Sequence, residues 1–220
     1  MTAAFLPPLT LEMLKQEARA FADLERTHAE PSLFGVDNGK KVGTYLEAKF
    51  KQFLLINSSF ALGNAASGLD LPDLKVDIKT TSRNQPQSSS PFSSARQKIY
   101  GLGYSLLIFV YDKRDDPITS TAILDIQQVV FVEASRTADY QMTAALLEAI
   151  RLGGNADDLV AIMMNRTLPV DDITARVLAE EILLNPPVQG YLTISNALQW
   201  RLQYNHALTH AGSIPGVERL

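Results

Sequence analysis

Apolar residues recur at helical spacing near the start of the chain, at strand spacing in its middle, and at helical spacing again towards its end. Leu11, Leu14, Ala18, Phe21 and Leu24 form one stripe, which predicts a helix over residues 10–29 with Thr10 as N-cap and Pro31 and Gly35 beyond its end. Val42, Leu46, Phe50 and Phe53 predict a second over 40–56, followed by a small-residue loop, NSSFALGNAASG. Over 74–81, Leu74, Val76 and Ile78 alternate with Lys75, Asp77 and Lys79, the period of a strand with one polar face. A polar loop over 82–94 and a short helix over 93–102 lead to an apolar run at 105–112, which suits a strand buried on both faces. Further strands are expected at 119–125 and 129–132, then helices at 138–152, 156–164, 172–184 and 195–206. The order predicts a mixed α/β (α+β) fold: a central mixed β-sheet flanked by helices, carried by residues 1–137, with a mainly helical part over 138–220.

Composition narrows the class. At 220 residues and 46% hydrophobic, the chain has material for a real core. It has no cysteine, which excludes a disulfide framework, a zinc–thiolate site and a cysteine nucleophile. The first residues lack a basic stretch followed by an apolar run, and no apolar run is long enough to span a bilayer, so a soluble cytoplasmic protein is expected. A Walker loop, a Rossmann fingerprint and a serine nucleophile elbow are all missing, which gives a small-molecule enzyme little support. The net charge of −4 is unpromising for a nucleic-acid binder, but its distribution is uneven. Residues 38–100 hold nine bases and four acids, a local +5 that leaves −9 on the rest. Such a segment suits a polyanion; chance clustering on a solvated face is the plain alternative.

The acids in that segment carry the chemistry. Asp77 and Lys79 share a strand face, and unpaired charges on a buried face are expensive. Asp70 lies across a Leu-Pro-Asp turn, so its strand can run beside the next and bring two carboxylates together, an oxygen-rich arrangement that suits Mg²⁺. A neighbouring ammonium can orient water or stabilise charge on a phosphate. Glu47, on the second helix, is either a further carboxylate for this site or an i,i+4 partner of Lys51. A solvated strand face accounts for Asp77 and Lys79 without any chemistry.

Taken together, GKKVGTYLEAKF, GLDLPD and VDIKTTS resemble the core of the PD-(D/E)xK nuclease superfamily. The phrase LDLPDLKVDIKT is similar to the active-site pattern of MutH-like mismatch-repair nicking endonucleases and their restriction-enzyme relatives. The resemblance covers residues 40–82, and the SRNQPQSSSPF loop departs from the MutH pattern towards type II restriction enzymes. It implies a restriction-endonuclease-like core with Glu47 as the helical acid, Asp70 and Asp77 as metal-binding acids, and Lys79 as the catalytic lysine. Asp73 is then a turn residue, with exchange of roles between Asp70 and Asp73 left open. It also implies Mg²⁺ held by Asp70, Asp77 and the Ile78 carbonyl, and hydrolysis of double-stranded DNA to 5′ phosphate and 3′ hydroxyl ends.

On that footing Lys40, Lys41, Arg96 and Lys98 are candidate phosphate contacts, and Arg83, Asn84, Gln85, Gln87, Ser88 and Ser89 are candidate base or backbone readers. The 195–206 helix is expected to be either a packed amphipathic helix or a recognition helix, and His28, His206 and His210 are read as incidental. The leading expectation is a type II restriction endonuclease acting as a homodimer on a palindrome. A MutH-like nickase and a non-catalytic DNA-binding or interaction protein are the alternatives.

Overall fold

The computed structural model describes residues 6–61, 68–90, 93–195 and 200–220. Part of the NSSFALGNAASG loop, residues 62–67, lies outside them, as do Leu198 and Gln199 of the expected last helix. In chain order the elements are α1 (Leu11–Glu25), β1 (Ala29–Glu30), α2 (Gly39–Asn57), β2 (Val76–Ser82), β3 (Gln87–Ser90), α3 (Gln97–Tyr100), β4 (Ser105–Asp116) and β5 (Thr121–Val132). They continue with α4 (Tyr140–Arg151), α5 (Ala156–Asn165), α6 (Asp172–Leu184), β6 (Thr193–Ser195), β7 (Trp200–Gln203), α7 (Asn205–His210) and β8 (Val217–Arg219). Among the described residues no helix is long and apolar enough to cross a membrane.

The chain divides into two compact units. The first contains the residues up to Pro86, Leu106–Phe131 and Glu218–Leu220. Its sheet runs β1-β5-β4-β2, with β8 also paired to β5. Thr10 caps α1 by accepting the Met13 amide at 3.2 Å, and Asn38 caps α2 by accepting the Lys40 and Lys41 amides at 2.9 and 3.3 Å. Helices α1 and α2 bury Leu14, Ala18, Phe21, Val42, Leu46, Phe50 and Leu54 in one core with Phe109, Leu124 and Phe131 of the sheet. The rings of Phe21 and Phe109 both meet Phe50, at 5.1 and 5.0 Å between centroids, and so lock α1 and α2 to β4. Leu24, at the end of the expected stripe, is instead 60% exposed; the buried positions in the last turn of α1 are Ala22 and Glu25.

The second unit contains Gln87–Ser105 and Val132–Val217. Helices α3 to α6 enclose a separate apolar core around Ile99, Met142, Leu146, Leu159, Met163, Leu178 and Ile182. Beside them stands an antiparallel sheet, β3-β7-β6. Three sequence expectations change here and at β5. The polar 82–94 loop contains a strand, β3. Strands 119–125 and 129–132 are one continuous strand, β5. The 195–206 helix is replaced by β6, β7 and the short α7, because Trp200 and Leu202 are buried while Arg201 between them is exposed, a period of two. The His206 ring stacks on Tyr140 with 3.9 Å between centroids.

Candidate active site

Everything at the expected catalytic position belongs to the first unit. Leu71 and Val76 exchange both main-chain hydrogen bonds, at 3.0 and 3.1 Å, around a 3₁₀ turn over Pro72–Leu74. Lys75 closes that turn in the left-handed region at φ 52°, which costs an L-residue energy and keeps Leu74 and Lys75 out of the strand expected to begin at 74. The result is the expected juxtaposition: Asp70 is brought back alongside β2, and its Oδ2 accepts the Ile78 amide at 2.8 Å. Asp73 sits in the turn and accepts the Ala61 amide at 3.3 Å, away from this arrangement.

On β2, Lys79 Nζ lies 2.7 Å from Asp77 Oδ2. Asp77 is 5% exposed, so this strand face is not an ordinary solvated one. Helix α2 packs on β2; Gly43 faces Thr80, and one turn further on Glu47 reaches the same region. Lys51 joins it, with Nζ 2.8 Å from Glu47 Oε1 and 2.6 Å from Asp70 Oδ1. Both readings of Glu47 are therefore present at once: it is the i,i+4 partner of Lys51, and through that ammonium it meets the acid site. Helical spacing alone gives Lys51 only as that partner. Its contact with Asp70 depends on a turn whose closure no helical spacing reveals.

Glu47, Asp70 and Asp77 form a hydrogen-bonded series, and their acidities diverge accordingly. Burial pushes the Asp77 carboxyl up to about 7, against the pull of Lys79. Burial also raises Glu47. Burial acts on Asp70 too, but hydrogen bonds from Asp77, Lys51, Glu47 and the Ile78 amide outweigh it and hold Asp70 below its usual range. Lys51 is raised, its two carboxylate partners outweighing its own burial. With three carboxyls set against the two ammonium groups of Lys51 and Lys79, the cluster is short of positive charge. Its donors are all oxygens, which fits a hard divalent cation such as Mg²⁺. Among the described residues no group of three or more acids or histidines is placed to hold a metal ion; Mg²⁺ does not need one, since one or two carboxylates with water and phosphate satisfy it.

The candidate DNA contacts divide. Lys40 and Lys41 on the first turn of α2, and Arg83, Asn84 and Gln85 in the turn after β2, are exposed on the first unit. In the second unit, Gln87, Ser88 and Ser89 are committed to β3, where they pair with Gln203, Leu202 and Arg201, and Ser88 hydrogen-bonds Tyr204. Arg96 is exposed but ion-paired with Glu181 and laid over the Tyr100 ring at 4.2 Å. Lys98 is corrected: it is 5% exposed, with Asp139 nearby, and is not on a surface that a phosphate could reach.

The family model described as type II restriction enzyme NspV matches residues 8–219. The type II restriction enzyme NspV of Nostoc sp. is 56% identical over 209 residues, covering 95% of each chain. Among solved structures, the tetrameric restriction endonuclease SfiI bound to cognate DNA is 10% identical, with a TM-score of 0.37 over 96% of this chain and 86% of that one.

Proposed function

Since this chain belongs to the NspV family of type II restriction enzymes and is a site-specific endonuclease, we propose that Asp70, Asp77 and Lys79 are its hydrolytic centre and Mg²⁺ its cofactor. The observation that carries the assignment is Lys79 paired with the buried Asp77 at 2.7 Å, beside Asp70, which the Ile78 amide ties to the same strand and Lys51 links to Glu47. Asp70, Asp77 and the Ile78 carbonyl would hold the ion, which supplies Lewis acidity at a phosphate oxygen and eases deprotonation of water. Lys79 positions the attacking water and offsets charge growing on the phosphoryl oxygens. The water oxygen forms a new bond to phosphorus as the bond to the 3′ oxygen breaks; the water gives up a proton to solvent and the leaving 3′ oxygen takes one from solvent, leaving a 5′ phosphate and a 3′ hydroxyl. Glu47 completes the acid cluster from α2.

Lys40, Lys41 and Arg83 hold the DNA backbone in this reading, and Asn84, Gln85, Gln87, Ser88 and Ser89 supply further polar contacts, while Arg96, held by Glu181, contributes less. The protein acts as a homodimer, one centre per strand, which a two-fold symmetric site requires. The test is incubation of the purified protein with unmethylated phage DNA, with Mg²⁺ or with EDTA. Discrete Mg²⁺-dependent fragments, lost in Lys79→Ala and Asp77→Ala proteins that still fold, are expected. Full cleavage by either variant would sink the assignment, and nicked circles without linear product would favour a nickase.

A further inference from the structure

Lys51 is the member of the acid cluster that the proposed chemistry leaves without a task. Its ammonium lies between Glu47 Oε1 and Asp70 Oδ1, at 2.8 and 2.6 Å, with its side chain only 18% exposed. It thus touches an acid from α2 and the acid that the turn brings to β2, bridging the two elements. That is where a cation would be expected to relieve the repulsion between these acids. We propose that Lys51 is a tethered cation that takes the place of the divalent ion in the metal-free enzyme, and that it makes metal loading depend on DNA. The proposal rests on the reading that Asp70 and Asp77 hold the ion.

The argument is one of charge. Glu47, Asp70 and Asp77 against Lys51 and Lys79 leave the ionised cluster with one net negative charge. A divalent ion entering alone reverses it to one net positive charge in a largely buried setting, which is unfavourable. A divalent ion entering with one phosphodiester leaves the cluster neutral. Without Lys51 the same acids carry two net negative charges, and the ion alone neutralises them. Lys51 therefore weakens metal binding in the absence of DNA and, by reciprocity, lets DNA strengthen it. It acts on the reaction through Asp70 and Glu47, as a positioning residue.

The experiment titrates Ca²⁺ into DNA-free protein by calorimetry, using the natural sequence, Lys51→Met, Lys51→Arg and Asp77→Asn, and follows melting of each in EDTA. Lys51→Met is expected to bind Ca²⁺ roughly tenfold more tightly than the natural protein, to melt lower in EDTA, and to recover its melting temperature with Ca²⁺. Lys51→Arg is expected to keep the weak natural affinity. A merely structural lysine would leave Ca²⁺ affinity unchanged or weaken it on removal, and either result overturns the proposal. If Asp77→Asn abolishes binding while Lys51→Met leaves it unchanged, only the role of Lys51 falls. If no protein binds Ca²⁺, or Asp77→Asn binds it as the natural protein does, the metal-site reading falls with it.

Discussion

Asp70 Oδ2 accepts the Ile78 amide at 2.8 Å, so the acid that precedes the turn is tied to the strand that carries Asp77 and Lys79. Two substitutions separate its charge from this anchoring. Asp70→Asn keeps an acceptor for the amide and removes the charge; Asp70→Ala removes both. Both are expected to slow single-turnover cleavage by about 10²–10³-fold. Both lose the charge paired with Lys51, but Asp70→Ala should lower unfolding free energy further than Asp70→Asn, by about 1–3 kcal/mol, because it leaves a part-buried amide without its partner. Chemical denaturation checks the difference. Equal stability of the two variants would mean that the hydrogen bond contributes nothing to holding the turn.

Acid should act on the far side of α2. Hydrogen bonds from Ser32, and further ones from Tyr45 and His28, hold the Glu30 carboxyl down at about 2. A carboxyl whose folded value is depressed adds stability above its unfolded value, here near 4.5, and loses it as pH falls towards 2. Glu30→Gln is expected to cost about 1–2 kcal/mol at pH 7, discounted for solvent screening, and progressively less as pH falls, with little left near pH 2. Denaturant melts of both proteins at the two pH values measure it; a cost that does not change with pH would assign the loss to packing instead.

Gly43 offers a stabilising change beside the site. It lies inside α2, where glycine is a weak helix former, and an added Cβ would meet only Thr80 Cβ, at 3.9 Å. Gly43→Ala is therefore expected to raise stability by about 0.5–1 kcal/mol with cleavage retained. A loss of stability would show that α2 and β2 must approach more closely than that distance allows.

Much of this site was legible in the sequence because it is local. The i,i+2 spacing of Asp77 and Lys79 puts both on one face of any strand, and the Leu-Pro-Asp sequence is strong turn chemistry, so the convergence of Asp70 and Asp77 could be expected. Lys51 could not, since its second carboxylate comes from 19 residues away through a turn closed by the left-handed Lys75. The second unit was read least well for the same kind of reason. Strands of three and four residues, such as β6, β7 and β3, carry too little periodicity to compete with a helical reading, and what fixes them is pairing with one another. Lys98 shows the limit of reading charge as surface: a lysine between Gln97 and Ile99 on a four-residue helix is buried by the core around it.

The basic residues of this region should be unequal in their effect on DNA binding. Lys40, Lys41 and Arg83 are exposed, and no salt bridge engages them among the described residues. Each phosphate they neutralise releases counterions, so each alanine substitution is expected to weaken Ca²⁺-supported binding to duplex DNA at all sequences and to reduce the slope of log K against log salt by roughly one. Arg96 already spends its guanidinium on Glu181 and the Tyr100 ring. Breaking that pair to reach a phosphate exchanges one anion for another, so Arg96→Ala is expected to change the slope by much less. Fluorescence anisotropy across a salt series measures all four. A full unit lost in Arg96→Ala would mean that the Glu181 pair opens on DNA, and unchanged slopes in the other three would place the DNA backbone elsewhere on the protein.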